Sequence, residues 1–151
     1  MTAQDRDRTV DAELVEYVIA VLPDGDAVED LMPAVVGLVS DGIIRLLDGA
    51  VVARDLRDET LVAELPPSAG TTKVRPTHRG LLSDRDLRLI AEVVPVGLVG
   101  VVLVIEDSWA GPLAAAARRA GGQLAGGERI RPGNLDAVVS LRQHRQHRTR
   151  R

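Results

Sequence analysis

Two long apolar runs constrain the fold of this chain more than any other feature of its sequence. Residues 14–22 read LVEYVIAVL, and residues 96–105 read VGLVGVVLVI. Runs without polar alternation are typical of strands that are buried on both faces of a sheet. The most membrane-like stretch, residues 93–105, includes one proline and two glycines and is shorter than the ~20 apolar residues of a spanning helix. The runs therefore predict two buried strands and no membrane span.

A helix is predicted between the first run and the next β-like segment. Apolar residues from Val28 to Val39 recur at helical spacing and form one stripe. Pro33 lies inside this stripe and lacks a backbone N–H, so the helix either begins close to Asp30 or is kinked at the proline. Gly42 supplies a C-terminal stop.

The middle of the chain predicts a hairpin followed by a second helix. Residues 43–54 and 61–65 are β-like, and a polar turn separates them. Ser83 and Asp86 resemble a capping box at the start of a helix. The predicted buried face of that helix consists of Leu87, Ile90, Ala91 and Val94.

The remaining segments complete an α+β pattern. Residues 109–120 predict a third helix with Pro112 in its first turn, residues 123–130 a weak edge strand, and residues from about 132 a last helix. The order β-α-β-β-α-β matches the ferredoxin-like, or split βαβ, arrangement, with helices on one face of an antiparallel sheet. A C-terminal helix-strand-helix segment extends it. The other sheet face would then need a second layer, from the terminal helices or another subunit.

The chain divides into one domain and two polar termini. Residues 1–12 predict a flexible N-terminus, and residues 13–141 form a single α+β domain. Within it, residues 66–80 hold three prolines and two glycines, which predicts a loop that is mobile or that orders only against a partner. Residues 142–151, RQHRQHRTRR, form a basic tail.

Charge is distributed unevenly along the chain. The net charge is −3, but the tail carries five arginines and no acid, which leaves residues 1–141 with a net charge of −8. An acidic body repels phosphate backbones and anionic lipid, so only the tail is expected to contact nucleic acid. The sequence begins without a secretory signal pattern, which predicts a cytoplasmic location.

Composition excludes several classes of protein. There is no cysteine, so neither a disulfide scaffold nor a thiolate metal site is available. Tyr17 and Trp109 are the only aromatic residues, too few for a platform that stacks single-stranded nucleic acid. The glycine pairs match neither phosphate-binding motif. We expect no metal and no cofactor.

The most concentrated chemistry lies where the second apolar run ends. Glu106, Asp107, Ser108 and Trp109 are candidate ligand-binding residues, because carboxylates beside a helix start and an indole can bind a polar ligand. The alternative is structural: Asp107 or Ser108 caps the helix, and Trp109 packs it against the sheet. Glu106 and Asp107 point in opposite directions in an extended segment, so they are not expected to form a dyad.

The three histidines give weaker indications. His78 lies in the loop of residues 66–80 and is a candidate ligand contact or base, with that loop as a lid over residues 106–109. His144 and His147 are spaced for one helical face, but no further metal ligand is nearby in sequence, so a tail segment is the simpler interpretation.

Several segments together resemble a known family. Residues 105–110 (IEDSWA), 118–122 (RRAGG) and 128–130 (ERI) are similar to the W-E-N-x-W-A…RRAGG…ERI pattern of small actinobacterial proteins. These proteins are grouped as domain of unknown function 6325, a relative of domain of unknown function 1269.

Two further segments extend the likeness to roughly residues 15–139. Residues 80–87 (GLLSDRDL) resemble that family's GLLSEEDL helix start, and residues 44–48 (IRLLD) its IRVLD strand. The chain departs from the pattern where it lacks the first tryptophan and where Asp107 replaces an asparagine. The resemblance implies a compact α+β domain and brings no established activity.

Two hypotheses of function follow. The first is a non-enzymatic cytoplasmic module that self-associates, or docks to another protein, through its sheet face, because the chain is too short to cover two strands that are apolar on both faces. The alternative is a small-molecule binding protein or minor enzyme that uses Glu106, Asp107, Ser108 and Trp109.

Overall fold

The computed structural model describes residues 8–67 and 74–127, which form an α+β fold with four strands and three α-helices. The α+β class predicted from the sequence is therefore confirmed. Short 3₁₀ turns over Ala12–Leu14 and Ser108–Ala110 precede the first strand and the last helix. In chain order the elements are β1 (Val15–Leu22), α1 (Gly25–Ser40), β2 (Arg45–Arg54), β3 (Thr60–Ala63), α2 (Asp84–Val93), β4 (Val99–Glu106) and α3 (Gly111–Arg119).

The four strands form one antiparallel sheet in the order β1-β4-β2-β3. The predicted hairpin is confirmed, since β2 and β3 pair directly and Asp55 closes the turn by accepting hydrogen bonds from the N–H groups of Arg57 and Glu59. The second apolar run lies at the sheet centre as β4. The first run does not: among the described residues, β1 is an edge strand with much of its surface exposed, so the prediction that it is buried on both faces is wrong for that part of the chain.

The two helices between strands lie on opposite faces of the sheet, not on one face as predicted. Met32 of α1 packs in a cluster with Ile105 of β4. Ile90 of α2 packs in a separate cluster with Val102 of the same strand. Because side chains alternate along a strand, Val102 and Ile105 point to opposite faces. Both faces of the central strands are thus covered within one chain.

Helix α1 runs through Pro33, so the interpretation in which the helix begins close to Asp30 is wrong. The Asp24 carboxylate accepts a hydrogen bond from the Ala27 N–H, which caps the helix at Gly25. Pro33 lies on the exposed side of the third turn, so the lost hydrogen bond faces solvent. Gly42, with φ of +69°, follows the end of the helix as predicted.

Helix α2 is the element that the sequence predicted best. Ser83 and Asp86 form the reciprocal capping box: each side chain accepts a hydrogen bond from the other residue's backbone N–H. Ile90, Ala91 and Val94 are buried as predicted. Gly100 of β4 lets Val94 approach closely, because a Cβ at this glycine would lie 2.5 Å from Val94 Cγ2.

The end of the described chain differs from the prediction. Helix α3 is present, but residues 123–127 form no strand, so this part of the predicted edge strand is wrong. Ala114 of α3 and Ala110 of the preceding 3₁₀ turn are buried and pack with Leu14, while Trp109 and Leu113 are exposed. The helix predicted from about residue 132, the basic tail and its histidines lie outside the described residues. So do residues 1–7 of the predicted flexible N-terminus.

The described part of the loop of residues 66–80 packs against its own sheet. Thr77 and His78 donate backbone hydrogen bonds to the carbonyls of Leu46 and Leu47, and Val74 packs against the core cluster on the α1 side. Residues 68–73 are not described. Within the described ranges, every helix is too short or too polar to cross a membrane.

Candidate functional site

Glu106, the first of the candidate site residues, is turned into the protein. It pairs across the sheet with Arg45, and both residues are only 2% exposed. One carboxylate oxygen accepts a 2.5 Å hydrogen bond from Arg8. The other accepts a 2.6 Å bond from the Asp11 N–H and lies 3.6 Å from Arg45 Nη2. Because its charge is balanced by cations and its oxygens are in use, Glu106 ties the N-terminal segment to β4 rather than facing a ligand.

A β-bulge in β2 gathers the buried charges on one face. Leu46 lies opposite Ile105, but Asp48 lies opposite Val104, so Leu47 is one extra residue. Without it, Arg45 and Asp48 would point to opposite faces. With it, both share the α2 face of the sheet with Glu106.

Asp48 uses this position to hold the start of α2. Its carboxylate accepts hydrogen bonds from the N–H groups of Gly80 at 3.1 Å, Leu82 at 3.0 Å and Gly49 at 2.8 Å. Neither Asp48 nor Arg45 was singled out from the sequence. Charged residues within a mostly apolar strand were the available indication, because such groups are buried only with partners.

Asp107 and Trp109 face outward and line a cleft of about 510 Å³ together with Glu13 and Glu16. Trp109 is 63% exposed. Backbone hydrogen bonds hold this corner in place: the Asp107 N–H donates to the Leu14 carbonyl at 2.7 Å, and the Trp109 N–H donates to the carbonyl of residue 43 at 3.0 Å. The predicted packing of Trp109 against the sheet is therefore wrong.

The predicted helix cap at this corner is also wrong. Neither Asp107 nor Ser108 accepts a capping hydrogen bond, because the 3₁₀ turn over Ser108–Ala110 intervenes and Ala110 occupies the cap position of α3. The Ser108 hydroxyl instead accepts a 3.4 Å contact from Arg8. Side chains that are adjacent in sequence thus divide between a buried ion pair and an open cleft.

His78 is held away from that cleft. Its backbone N–H donates to the Leu47 carbonyl at 2.7 Å, and its ring Nδ1 lies 2.8 Å from the Thr77 hydroxyl. The residues that line the cleft come from the N-terminal segment, β1, the corner and residues 126–127. The structure therefore does not bring His78 to Glu106, Asp107, Ser108 and Trp109 as a lid residue.

The carboxylates around the cleft differ in how they are compensated. Asp11 accepts two hydrogen bonds from Arg118, at 2.8 Å and 2.6 Å, and these bonds lower the pKa of Asp11 from its ordinary value. The same guanidinium reaches Glu13 at 3.0 Å. Within residues 8–67 and 74–127, no hydrogen bond or ion pair occupies the side chain of Glu16 or Asp107. The uncompensated negative charge of the cleft comes from these two residues.

The described residues include no group of three or more histidine, aspartate or glutamate side chains placed to hold a metal ion. What the geometry offers is an open acidic cleft beside an exposed indole, a combination suited to cationic groups.

No protein-family model matches the chain, and neither a curated protein nor a solved structure matches it.

Proposed function

We propose that this protein is a non-enzymatic cytoplasmic module that self-associates, and that two copies meet at the outer edge of β1. The observation that carries this proposal is the exposure of an eight-residue apolar edge strand. Val15, Val21 and Tyr17 of β1 are exposed, Tyr17 by 66%. Because a helix packs on each face of the sheet, the exposed apolar surface lies at the β1 edge, and we place the contact with a second copy there.

Strand β1 lacks the devices that protect an edge from pairing. It pairs with β4 through all eight residues without a bulge, and it contains neither lysine nor proline. Its one charged residue is Glu16. In an antiparallel two-fold contact with Ile19 opposite its own copy, Glu16 lies opposite Leu22, so no like charges meet. A second copy of this chain is therefore a compatible occupant.

An apolar groove beside the edge adds to the same surface. It has a volume of about 320 Å³ and lies between β1 and α2, with Tyr17, Val104 and Leu89 in its lining. Leu81 and Leu89 are exposed there. A copy paired along β1 would place its own side chains over this groove and remove that apolar surface from water.

The finer fold assignment and the family are further parts of the proposal. The order βαββαβ, with one strand between the two strands that each helix connects, supports a ferredoxin-like variant whose helices lie on opposite faces. The segments IEDSWA, RRAGG and GLLSDRDL support a relationship to domain of unknown function 6325.

Sedimentation equilibrium of edge variants tests self-association. We expect the unaltered chain to be a dimer at tens of micromolar, and the double variant Tyr17→Lys, Val21→Lys to dissociate at least about tenfold more readily, because an edge lysine opposes pairing. The matched control changes the other edge: Leu61→Lys, Val62→Lys on β3 should leave the dimer intact. A monomeric unaltered chain, or equal behaviour of the two variants, would contradict the proposal.

A further inference from the structure

A cavity of about 330 Å³ lies on the β3 side of the sheet, away from the edge used in the proposed dimer. Its walls come from β2, the end of the hairpin, the loop before α2 and α2 itself. Among the described residues that line it, none belongs to β1. The volume is near the lower end of the range of about 300–1,000 Å³ for ligand pockets. A site in this cavity would therefore take a small metabolite, independently of pairing at β1.

The cavity is lined by a buried carboxylate that can accept one more hydrogen bond. Asp48 is only 7% exposed. Its Oδ2 accepts from the N–H groups of Gly80 and Leu82, whereas Oδ1 accepts only from the Gly49 N–H. A carboxylate offers about four acceptor positions, two on each oxygen, so one position on Oδ1 is left. These donors are neutral, and within residues 8–67 and 74–127 no salt bridge reaches Asp48. An ammonium group in the cavity would supply both a donor and a balancing charge.

Exposed charges of both signs line the same cavity. Arg79 Nη1 is 3.6 Å from Glu64 Oε1, and both side chains are largely exposed. An exposed pair of this kind contributes little stability, so a ligand can exchange with either partner at low cost. The guanidinium can bind a ligand carboxylate in a planar, bidentate geometry. The remaining lining is mainly apolar and includes Ala50, Leu82 and Leu87.

We propose that this cavity binds a free α-amino acid with an apolar side chain. The ammonium group of the ligand donates to Asp48, and its carboxylate binds Arg79. Its side chain lies against Leu82 and Leu87. An amine without a carboxylate leaves Arg79 unused, and an acid without an ammonium group brings a negative charge toward Asp48 and Glu64. The zwitterion is therefore the one of these three ligands that matches every charge.

Titrations of the full-length chain followed by ¹H–¹⁵N NMR test this proposal. The probes are L-leucine, 3-methylbutylamine, which lacks the carboxylate, and 4-methylpentanoate, which lacks the ammonium group. We expect L-leucine to shift the N–H signals of Gly49, Gly80 and Leu82 with a dissociation constant of about 1 mM or lower. Each analogue should bind at least about tenfold more weakly, because it lacks one charge-assisted contact. Unchanged signals up to about ten times that concentration of L-leucine, or an analogue that binds as tightly, would overturn the proposal.

Two variants test the charged contacts separately. Arg79→Gln should weaken the binding of L-leucine at least about tenfold. Its matched control, Arg57→Gln, removes an exposed arginine from the turn between β2 and β3 and should bind like the unaltered protein. Asp48→Asn should weaken binding at least as much as Arg79→Gln, and far-ultraviolet circular dichroism shows whether it is folded, since Asp48 also holds the start of α2. Arg79 is exposed, so its variant tests the proposal whether or not Asp48→Asn folds. Unchanged binding by Arg79→Gln would contradict the site.

Discussion

The corner at residues 106–109 places two neighbouring carboxylates in opposite environments. Glu106 is buried between Arg45 and Arg8, whereas Asp107 lines an open cleft without a described partner. Because side chains alternate along β4, Glu106 points to the α2 face of the sheet, where the bulge in β2 also places Arg45 and Asp48. The 3₁₀ turn over Ser108–Ala110 then follows the end of the strand. The candidate site residues are adjacent in the sequence, but the end of β4 separates them. Glu106 belongs to a buried, structural half of the corner, and Asp107 and Trp109 belong to an accessible half.

The largest effect is expected at the buried half of the corner. Glu106→Gln leaves Arg45, itself 2% exposed, without its carboxylate. Removing one partner of a buried pair costs about 3–5 kcal/mol of unfolding free energy, because the remaining buried charge loses the opposite charge beside it. Urea unfolding measures the loss.

The matched control for this variant is its neighbour. Asp107→Asn removes the same charge at a solvated position, and the unfolding free energy should change by no more than about 0.5 kcal/mol. If the two variants lose similar stability, the division of the corner into a buried and an accessible half is incorrect.

An intermediate effect is expected at Arg8, which joins the two halves. Its side chain is more than half exposed, yet it donates to both Glu106 and Ser108. Arg8→Gln should lower the unfolding free energy by about 1 kcal/mol, since solvent screens this pair and Arg45 still balances Glu106. The same urea titration checks it. A loss as large as that of Glu106→Gln would show that Arg8, rather than Arg45, compensates the buried carboxylate.

The smallest effect concerns the exposed pair that borders the accessible half. Arg118 lowers the pKa of Asp11 from its ordinary value of 3.8, chiefly through side-chain hydrogen bonds. Because the folded pKa is depressed, this contribution to stability is complete above pH 3.8 and is lost as the pH falls through the lower, folded pKa. Arg118→Gln should return the pKa of Asp11 toward 3.8. A carboxyl-detected NMR titration measures it, and an unchanged pKa would refute the contact.

Local patterns predicted most of the secondary structure. The capping pair Ser83 and Asp86, the turn after β2 and the glycine after α1 act through neighbours a few residues away, so their effects can be read from spacing. The start of α1 at Gly25 precedes the apolar stripe seen in the sequence, because Asp24 supplies the cap before that stripe begins. The predicted strand over residues 123–130 failed over residues 123–127, where glycines weaken strand formation.

Long-range contacts account for what was missed at the candidate site. Arg8 reaches Glu106 across 98 positions, and Arg118 reaches Asp11 across 107. No periodicity encodes such pairs. The sequence correctly indicated that Glu106 and Asp107 would point apart, but it could not indicate which of them would find an arginine.

The sequence by itself determined the α+β class, the hairpin, the capped helix α2 and the absence of any thiol chemistry, because these depend on local propensity and composition. Only the tertiary structure decided that the helices cover opposite faces, that β1 is an edge and that Glu106 is buried while Trp109 is exposed. These features depend on the order of the strands and on one bulge in β2, which together decide the sheet face to which each strand side chain points. Strand order and the bulge are set by contacts between residues far apart in the sequence.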